Sequence, residues 1–304
     1  MSETVLPAPS ASLLGRLLAR HPRGLPVLFM TELWERFSYY GMRALLVLFM
    51  VAPAAAGGLG FDKKTAAAIY GNYTMSVYML SIVGGFIADN FIGSRLAVLY
   101  GGIIIACGHY SMAFNAQPTF FLGLVLIALG TGLLKPNIST MVGGLYTSDD
   151  DRRDAGFSLF YMGINLGALL APIVTGWLAQ SAEFRAILAR LGLDPLHSWH
   201  WGFAAAGVGM TFGLVAYVRQ LNVLSGVGHP PAVGAARPWG KLGLVVLGTA
   251  ALMALTMASD YHAWLIYLIF AAQLVAVLFF AFRPSQESKR IAAILVFFIA
   301  AEVF

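Results

Sequence analysis

Apolar residues in this chain gather into runs long enough to cross a bilayer, separated by short polar stretches. Crossing the hydrocarbon takes about 20 residues of helix, and windows of that size fall at about 26 to 51, 66 to 88, 95 to 114, 119 to 142, 156 to 180 and 200 to 219. Six spanning helices are predicted. A Gly/Pro/Ala-rich stretch over 221–240, with Gly226, Gly228, Pro230, Pro231 and Pro238, reads as a linker. Two more apolar helices, about 241–258 and 262–282, are separated only by Ser259, Asp260 and Tyr261 and predict a hairpin. Ile291 to Phe304 begins a further apolar helix that, at 1.5 Å per residue, is too short to cross, so the chain is expected to stop within a span.

Composition agrees with that pattern. Of 304 residues 59% are hydrophobic and 11% charged, against roughly 45–50% and 25% in a soluble domain. Helices packed in lipid are expected, and a soluble enzyme is not. The formal charge of +5 is dispersed, with no basic run, so nucleic acid is not an expected partner. Cys107 has no partner for a disulfide and reads as core filler. Arg16, Arg20 and Arg23 precede an apolar stretch too long and too charged for a signal peptide, so residues 1–24 read as a tail leading into a retained helix. With the N-terminus inside, the inner segments hold twelve Lys and Arg and the outer ones four, Lys63, Lys64, Arg185 and Arg190. That bias predicts a cytoplasmic N-terminus and a multi-pass protein of the inner (plasma) membrane.

Charges then appear where hydrocarbon should exclude them, although one at the bilayer centre costs about 2.5–3.5 kcal/mol. The first span carries Glu32, Glu35, Arg36 and Arg43. With Tyr40 they fall on one helical face, which must look into protein or water. The fourth span carries Lys135 beside Pro136. A buried ion pair holding helices together would account for one such feature, but several charges on two spans with tyrosines beside them point to a polar translocation site. A carboxylate beside Arg and Lys acts as a proton-controlled switch: ionised, it neutralises the cation, and protonated, it frees the cation for an anionic group. An Arg fork and a Lys point charge suit a carboxylate, while Tyr39, Tyr40, Tyr73 and Tyr78 offer hydrogen bonds and apolar area. The implied substrate is small, with an acidic end.

Glu32-Leu33-Trp34-Glu35-Arg36-Phe37-Ser38-Tyr39-Tyr40-Gly41 resembles the E-x-x-E-R-F-x-Y-Y-G motif of the proton-dependent oligopeptide transporter (POT/PTR) family. Phe160-Tyr161-Met162-Gly163-Ile164-Asn165-Leu166-Gly167 resembles its second signature, F-Y-x-x-I-N-x-G, and Gly130 to Asn137 its lysine-bearing fourth helix. Gly85 to Arg95 resembles the loop after the second helix of the major facilitator superfamily. The resemblance is strong over about 25–220, and the next two helices match the hairpin that bacterial members insert between their halves.

The resemblance implies an all-α polytopic membrane fold: a six-helix bundle of two inverted three-helix repeats over 25–220, a linker over 221–240 and an inserted hairpin over 241–283. Residues 284–304 would be a second linker and the truncated start of the seventh core helix. It also implies proton-coupled symport of di- and tripeptides, with no cofactor beyond the proton and with the C-terminal half of the transporter as the missing partner. The chain alone is not expected to transport, because substrate sites of this fold lie between two halves. Glu32 and Glu35 would serve proton coupling, Arg36 and Lys135 would receive the peptide carboxylate, and Tyr39, Tyr40, Tyr78 and Asn165 would line the pocket. Tyr78 is preferred to Tyr73 by its distance before Gly84-Gly85. Family members pair a first-helix arginine, here Arg43, with a seventh-helix glutamate across the external gate. Glu302 is in that helix, but the family's acid precedes a glutamine further along, and the pair is not assigned.

Asp89 and Arg95 are expected to brace inner helix ends as gating residues, with Asp149 to Asp154, Arg152 and Arg153 as available partners. Gly163 and Gly167 form a small-residue face for close packing. His197 and His200 flank Trp199 and read as interfacial loop residues, since two ligands do not make a metal site. No nucleophile, phosphate-loop or metal-ligand motif suggests an enzyme. Two other functional readings are a nitrate or other small-anion transporter of the same family, separable by competition of nitrate against labelled dialanine, and a non-transporting membrane sensor or scaffold.

Overall fold

The computed structural model describes residues 18, 20–224, 226–232 and 237–258. Long helices are α1 (Gly24–Val51), α2 (Lys63–Ile87), α3 (Gly93–Met112), α4 (Gln117–Gly144) and α5 (Arg153–Gln180). A short α6 (Ala182–Arg190) then precedes α7 (Ser198–Arg219) and α8 (Trp239–Ala258). The chain divides into two compact units, 1–249 and 250–304, of which 250–258 is the described part of the second. The hairpin's second helix, the start of the next one and Glu302 lie outside the described residues.

Among the described residues, four stretches are long and apolar enough to cross a membrane: Lys63–Met112, which holds both α2 and α3, Gln117–Gly144, Arg153–Gln180 and Pro195–Arg219. At 28 residues α1 also has the length, rising about 42 Å, but its four charges keep it out of that set. The protein is a multi-pass membrane protein.

The principal seams join α1 to α5 and α7, α4 to α2 and α3, α3 to α7, and α5 to α7. The first five fit a two-fold exchange of α1-α2-α3 with α4-α5-α7, while α5 packs on α7 more extensively than its counterpart α2 packs on α3. The exchange maps the α1–α5 seam onto α4–α2, the α1–α7 seam onto α4–α3, and α3–α7 onto itself. The triplets run in opposite directions, so they are inverted repeats. The consequence for function is that α1 and α4, the two helices that carry intramembrane charge, occupy equivalent places.

Glycines set how closely the seams approach. An added Cβ at Gly84 of α2 would lie 2.1 Å from the Gly132 carbonyl oxygen of α4. That carbonyl is the one whose helical hydrogen bond Pro136 removes four residues later, so α2 is laid against the gap in the α4 ladder. At Gly167 of α5 an added Cβ would lie 2.3 Å from the Leu33 carbonyl oxygen, and at Gly163 about 3.0 Å from the Phe29 ring, which makes both glycines packing residues against α1.

Burial divides into two apolar clusters. One gathers Tyr39, Met42, Leu45, Phe49, Phe120 and Phe203, the other Leu25, Leu28, Ile105, Phe160, Met210 and Tyr217. Along α1 they leave a polar layer, Glu32 to Ser38, between them. Cys107 is exposed on α3 rather than filling the core, which corrects the sequence expectation. In an apolar helix, hydrophobicity alone does not separate the lipid side from the core side.

Candidate functional site

The polar layer is built on one face of α1. Glu32, Glu35 and Arg36 are all less than 5% exposed. Nε of Arg36 lies 3.0 Å from Glu32 Oε1 and in ion-pair contact with Glu35 Oε2. Glu32 Oε2, Glu35 Oε1 and Arg36 Nη2 have no hydrogen-bond partner among the described residues. Two carboxylates around one guanidinium leave a buried excess of one negative charge, which low dielectric penalises unless a cation or a proton joins them.

The cation stands on the equivalent helix. Lys135 of α4 is half-buried, its Nζ 4.6 Å from the centre of the Tyr78 ring on α2, and it lies within electrostatic reach of Arg36, Glu35 and Glu32. Tyr78 is exposed and Tyr73 buried. The Arg36 guanidinium carbon sits 5.3 Å from the Tyr39 ring, and Tyr39 meets the half-buried Tyr40 edge to face. Asn165 is exposed on α5, where its amide donates to the Tyr161 carbonyl at 3.1 Å. Further along α1, half-buried Arg43 donates to the Tyr70 hydroxyl of α2 and sits over its ring.

Sequence reasoning named Tyr73 beside this layer but passed over the hydroxyls of Thr74 and Thr131. Tyr73 Oη, Thr74 Oγ1 and Thr131 Oγ1 are buried without a hydrogen-bond partner among the described residues, Thr131 one turn before Lys135. Tyr73 is within electrostatic reach of Tyr39, Glu35, Arg36 and Arg43. Buried polar groups of this kind are places for ordered water. The signal available in the sequence was Thr131, four residues before Lys135 and so on its face.

At the end of the bundle where α1 begins, the expected pairing of Asp89 and Arg95 with the α4–α5 turn does not occur among the described residues. Arg152 binds Asp150 in its own turn, with contacts of 2.9 and 3.0 Å, and that hydrogen-bonded guanidinium holds the Asp150 carboxyl below its ordinary range. Arg95 is taken instead by the segment after α7: its Nη2 donates to the Leu221 carbonyl at 3.4 Å and its backbone N–H to Gly228 at 3.0 Å. Tyr217 donates to the Arg95 carbonyl at 3.0 Å, and Arg237 to the Asn90 carbonyl at 3.0 Å. Asp89 is exposed, without an ion pair among the described residues. At the opposite end His200 is buried in the first turn of α7 and is not a loop residue, because Phe49 and the Met112 carbonyl enclose it. No group of three or more metal-binding side chains forms among the described residues.

The POT family profile matches residues 95–220. Peptide transporter YePEPT of Yersinia enterocolitica is 45% identical over 230 residues, 75% of this chain and 42% of that protein. The di-/tripeptide transporter of Lactococcus lactis subsp. lactis is 45% identical over 215 residues, covering 69% of this chain and 40% of its own length. The chain belongs to the POT family. Another relative of this POT-family chain is the uncharacterized transporter YclF of Bacillus subtilis, 41% identical over 296 residues and matched over 57% of its length. A crystal structure of peptide transporter POT in complex with alafosfalin shares the fold at TM-score 0.68 and 39% identity, covering 96% of this chain and 58% of that one. The POT chain thus spans about half the length of these relatives, and they are transporters.

Proposed function

We propose that this POT-family chain supplies the proton-binding and carboxylate-binding side of a proton-coupled di- and tripeptide symporter in the cytoplasmic membrane, with its N-terminus in the cytoplasm. Glu32 and Glu35 hold the coupling proton, and no other cofactor is needed. Arg36 and Lys135 receive the peptide carboxylate, and Tyr39, Tyr40, Tyr78 and Asn165 line the space around it. Arg43, Asp89 and Arg95 serve the gates, and the peptide amino group meets the part of the transporter that the relatives have beyond the matched length.

The observation that carries this reading is the buried Glu32–Arg36–Glu35 group on α1, with Lys135 beside Tyr78 on the equivalent helix. An ionised Glu35 neutralises Arg36, and a proton on it releases the guanidinium to a carboxylate with which it makes a two-pronged contact. In proteoliposomes holding the full-length form, an inward proton gradient should drive uptake of labelled dialanine, and Lys135→Ala and Glu35→Gln should each abolish it. Undiminished gradient-driven uptake in both variants would overturn these roles.

A further inference from the structure

A second polar group lies at the other end of the bundle and goes beyond the proposed transport site. His200 in the first turn of α7 is 5% exposed. Its Nδ1 is 2.9 Å from the Met112 carbonyl oxygen and its Nε2 3.2 Å from Oδ1 of Asn115, in the turn between α3 and α4. Nδ2 of Asn115 is 2.8 Å from Nε2 of His197. Phe49 of α1 closes the site edge-on, 5.5 Å from the His200 ring, and is 14 residues from Glu35, about 21 Å along the helix.

Donor and acceptor counting limits what these contacts are. A carbonyl only accepts, so His200 Nδ1 carries a proton. With Asn115 Oδ1 towards His200, Nε2 must carry one too, which makes the ring an imidazolium. Nδ2 of Asn115 then donates to a bare His197 Nε2, leaving His197 neutral with its proton on Nδ1. Turning the amide by half a rotation reverses every assignment at the same heavy-atom positions: Nδ2 donates to a bare Nε2 of neutral His200, and Oδ1 accepts from Nε2–H of His197. With His197 neutral in both, one proton separates the two arrangements, and both keep all three hydrogen bonds.

We infer that His197, Asn115 and His200 form a proton-binding relay, in which His200 takes up one proton, the Asn115 amide turns, and the proton on His197 passes from Nε2 to Nδ1. The seam between the α3–α4 turn and the start of α7 stays closed in both states. The titratable and charged groups around His200 are few. His197 acts on it directly, with Asp194 Oδ2 3.9 Å behind His197 Nε2. Arg185 of α6 donates to Ser198 Oγ at 3.3 Å, and His109 lies one turn before Met112 on α3, while α1 presents the uncharged Phe49.

The test is nitrogen NMR of the full chain in lipid nanodiscs with 15N-histidine, titrated between about pH 4.5 and 8.5, a range that brackets histidine's ordinary charge change. His200→Gln and His197→Gln assign the signals. His200 should gain a second proton, and the tautomer of His197 should change at the same midpoint. In Asn115→Leu the His197 change should no longer follow His200. Asn115→Asp, similar in shape but without a donor end, removes the neutral arrangement and should raise the His200 midpoint by about one pH unit or more. It decides the matter if the leucine variant does not fold. A His200 ring that keeps one protonation state throughout, a His197 tautomer that never changes, or an Asn115→Asp midpoint equal to the parent's would overturn the inference.

Discussion

The closest test of the geometry around Lys135 is a single methyl group at Gly84. A Cβ there would stand 2.1 Å from the Gly132 carbonyl oxygen, and ordinary contact begins at 3.4 Å, so α2 must retreat by about 1.3 Å. The obstacle is backbone and cannot change rotamer. Overpacking of this kind costs about 1–3 kcal/mol, and at a backbone atom the upper end applies. Alanine returns about 1 kcal/mol of helix propensity, which leaves Gly84→Ala about 2 kcal/mol less stable. Gly71→Ala, in the same helix with nothing within 4 Å, should gain that ~1 kcal/mol without a cost. The same retreat would take Lys135 from 4.6 Å to about 5.9 Å from the Tyr78 ring, the limit of a useful cation–π contact. Thermal unfolding in detergent, read beside dialanine affinity, should therefore move in opposite directions for the two variants in stability and fall for Gly84→Ala in affinity. Equal stabilities would refute the placement of α2 on the Gly132 carbonyl.

At the end where α1 begins, Gly93 has φ of +79° and ψ of 154°, a conformation that L residues adopt only under strain, and an added Cβ would lie 2.5 Å from the backbone of His229 and Pro230. Gly93→Ala should expose 228–230 to protease in the folded protein, and unchanged cleavage would count against docking of this segment on α3. His21, whose Nδ1 is 2.9 Å from the Tyr146 hydroxyl, has its pKa lowered from 6.5 by burial and next by Arg152. The unfolded chain therefore binds more protons, so this contribution is complete above pH 6.5 and is lost as pH falls from there through the lowered value. The protection of the amides just before α1, taken relative to their intrinsic exchange rate at each pH, should fall on acidification, and His21→Asn should remove that pH dependence. An acid response of the same size in that variant would assign it to another group.

The spans were legible because hydrocarbon imposes a length, and each predicted window lies within three residues of the helix found. Short α6 escaped that filter, being too brief to cross and too polar to join a run. The charged face of α1 was legible from spacing, since a helix cannot hold Glu32, Glu35 and Arg36 on one side without presenting them to something polar. The pairing of α1 with α4 was not, because it depends on the order in which helices pack and not on any local pattern. Arg95 shows the same limit. Its charge suggested an acidic partner, yet a helix start also needs acceptors for its free N–H groups, and carbonyls from 221 and 228 answered both needs. His200 was missed because polarity near a turn resembles an interface until Phe49, arriving from α1, shows that it is buried.

The inverted repeat bears directly on coupling. Exchange of the two triplets brings α1 and α4 to equivalent positions, and because the two run in opposite directions, Lys135, nine residues before the end of α4, comes within electrostatic reach of Glu32, Glu35 and Arg36, eight to twelve residues into α1. Fully ionised, these four groups sum to zero, and Arg43, half-buried, bound to Tyr70 and within electrostatic reach of Lys135, adds one positive charge further along α1. A carboxylate entering that neutral layer makes it negative again, and a lone charge in such a place is expensive enough that the site changes protonation instead. On the proposed roles, a proton on Glu32 or Glu35 offsets the charge of an acid taken up by Arg36 and Lys135. On this argument Lys135→Ala does more than remove a contact. It leaves the empty site negative, so the first proton serves to neutralise Glu32 and Glu35, and gradient-driven uptake is lost even if a peptide still binds.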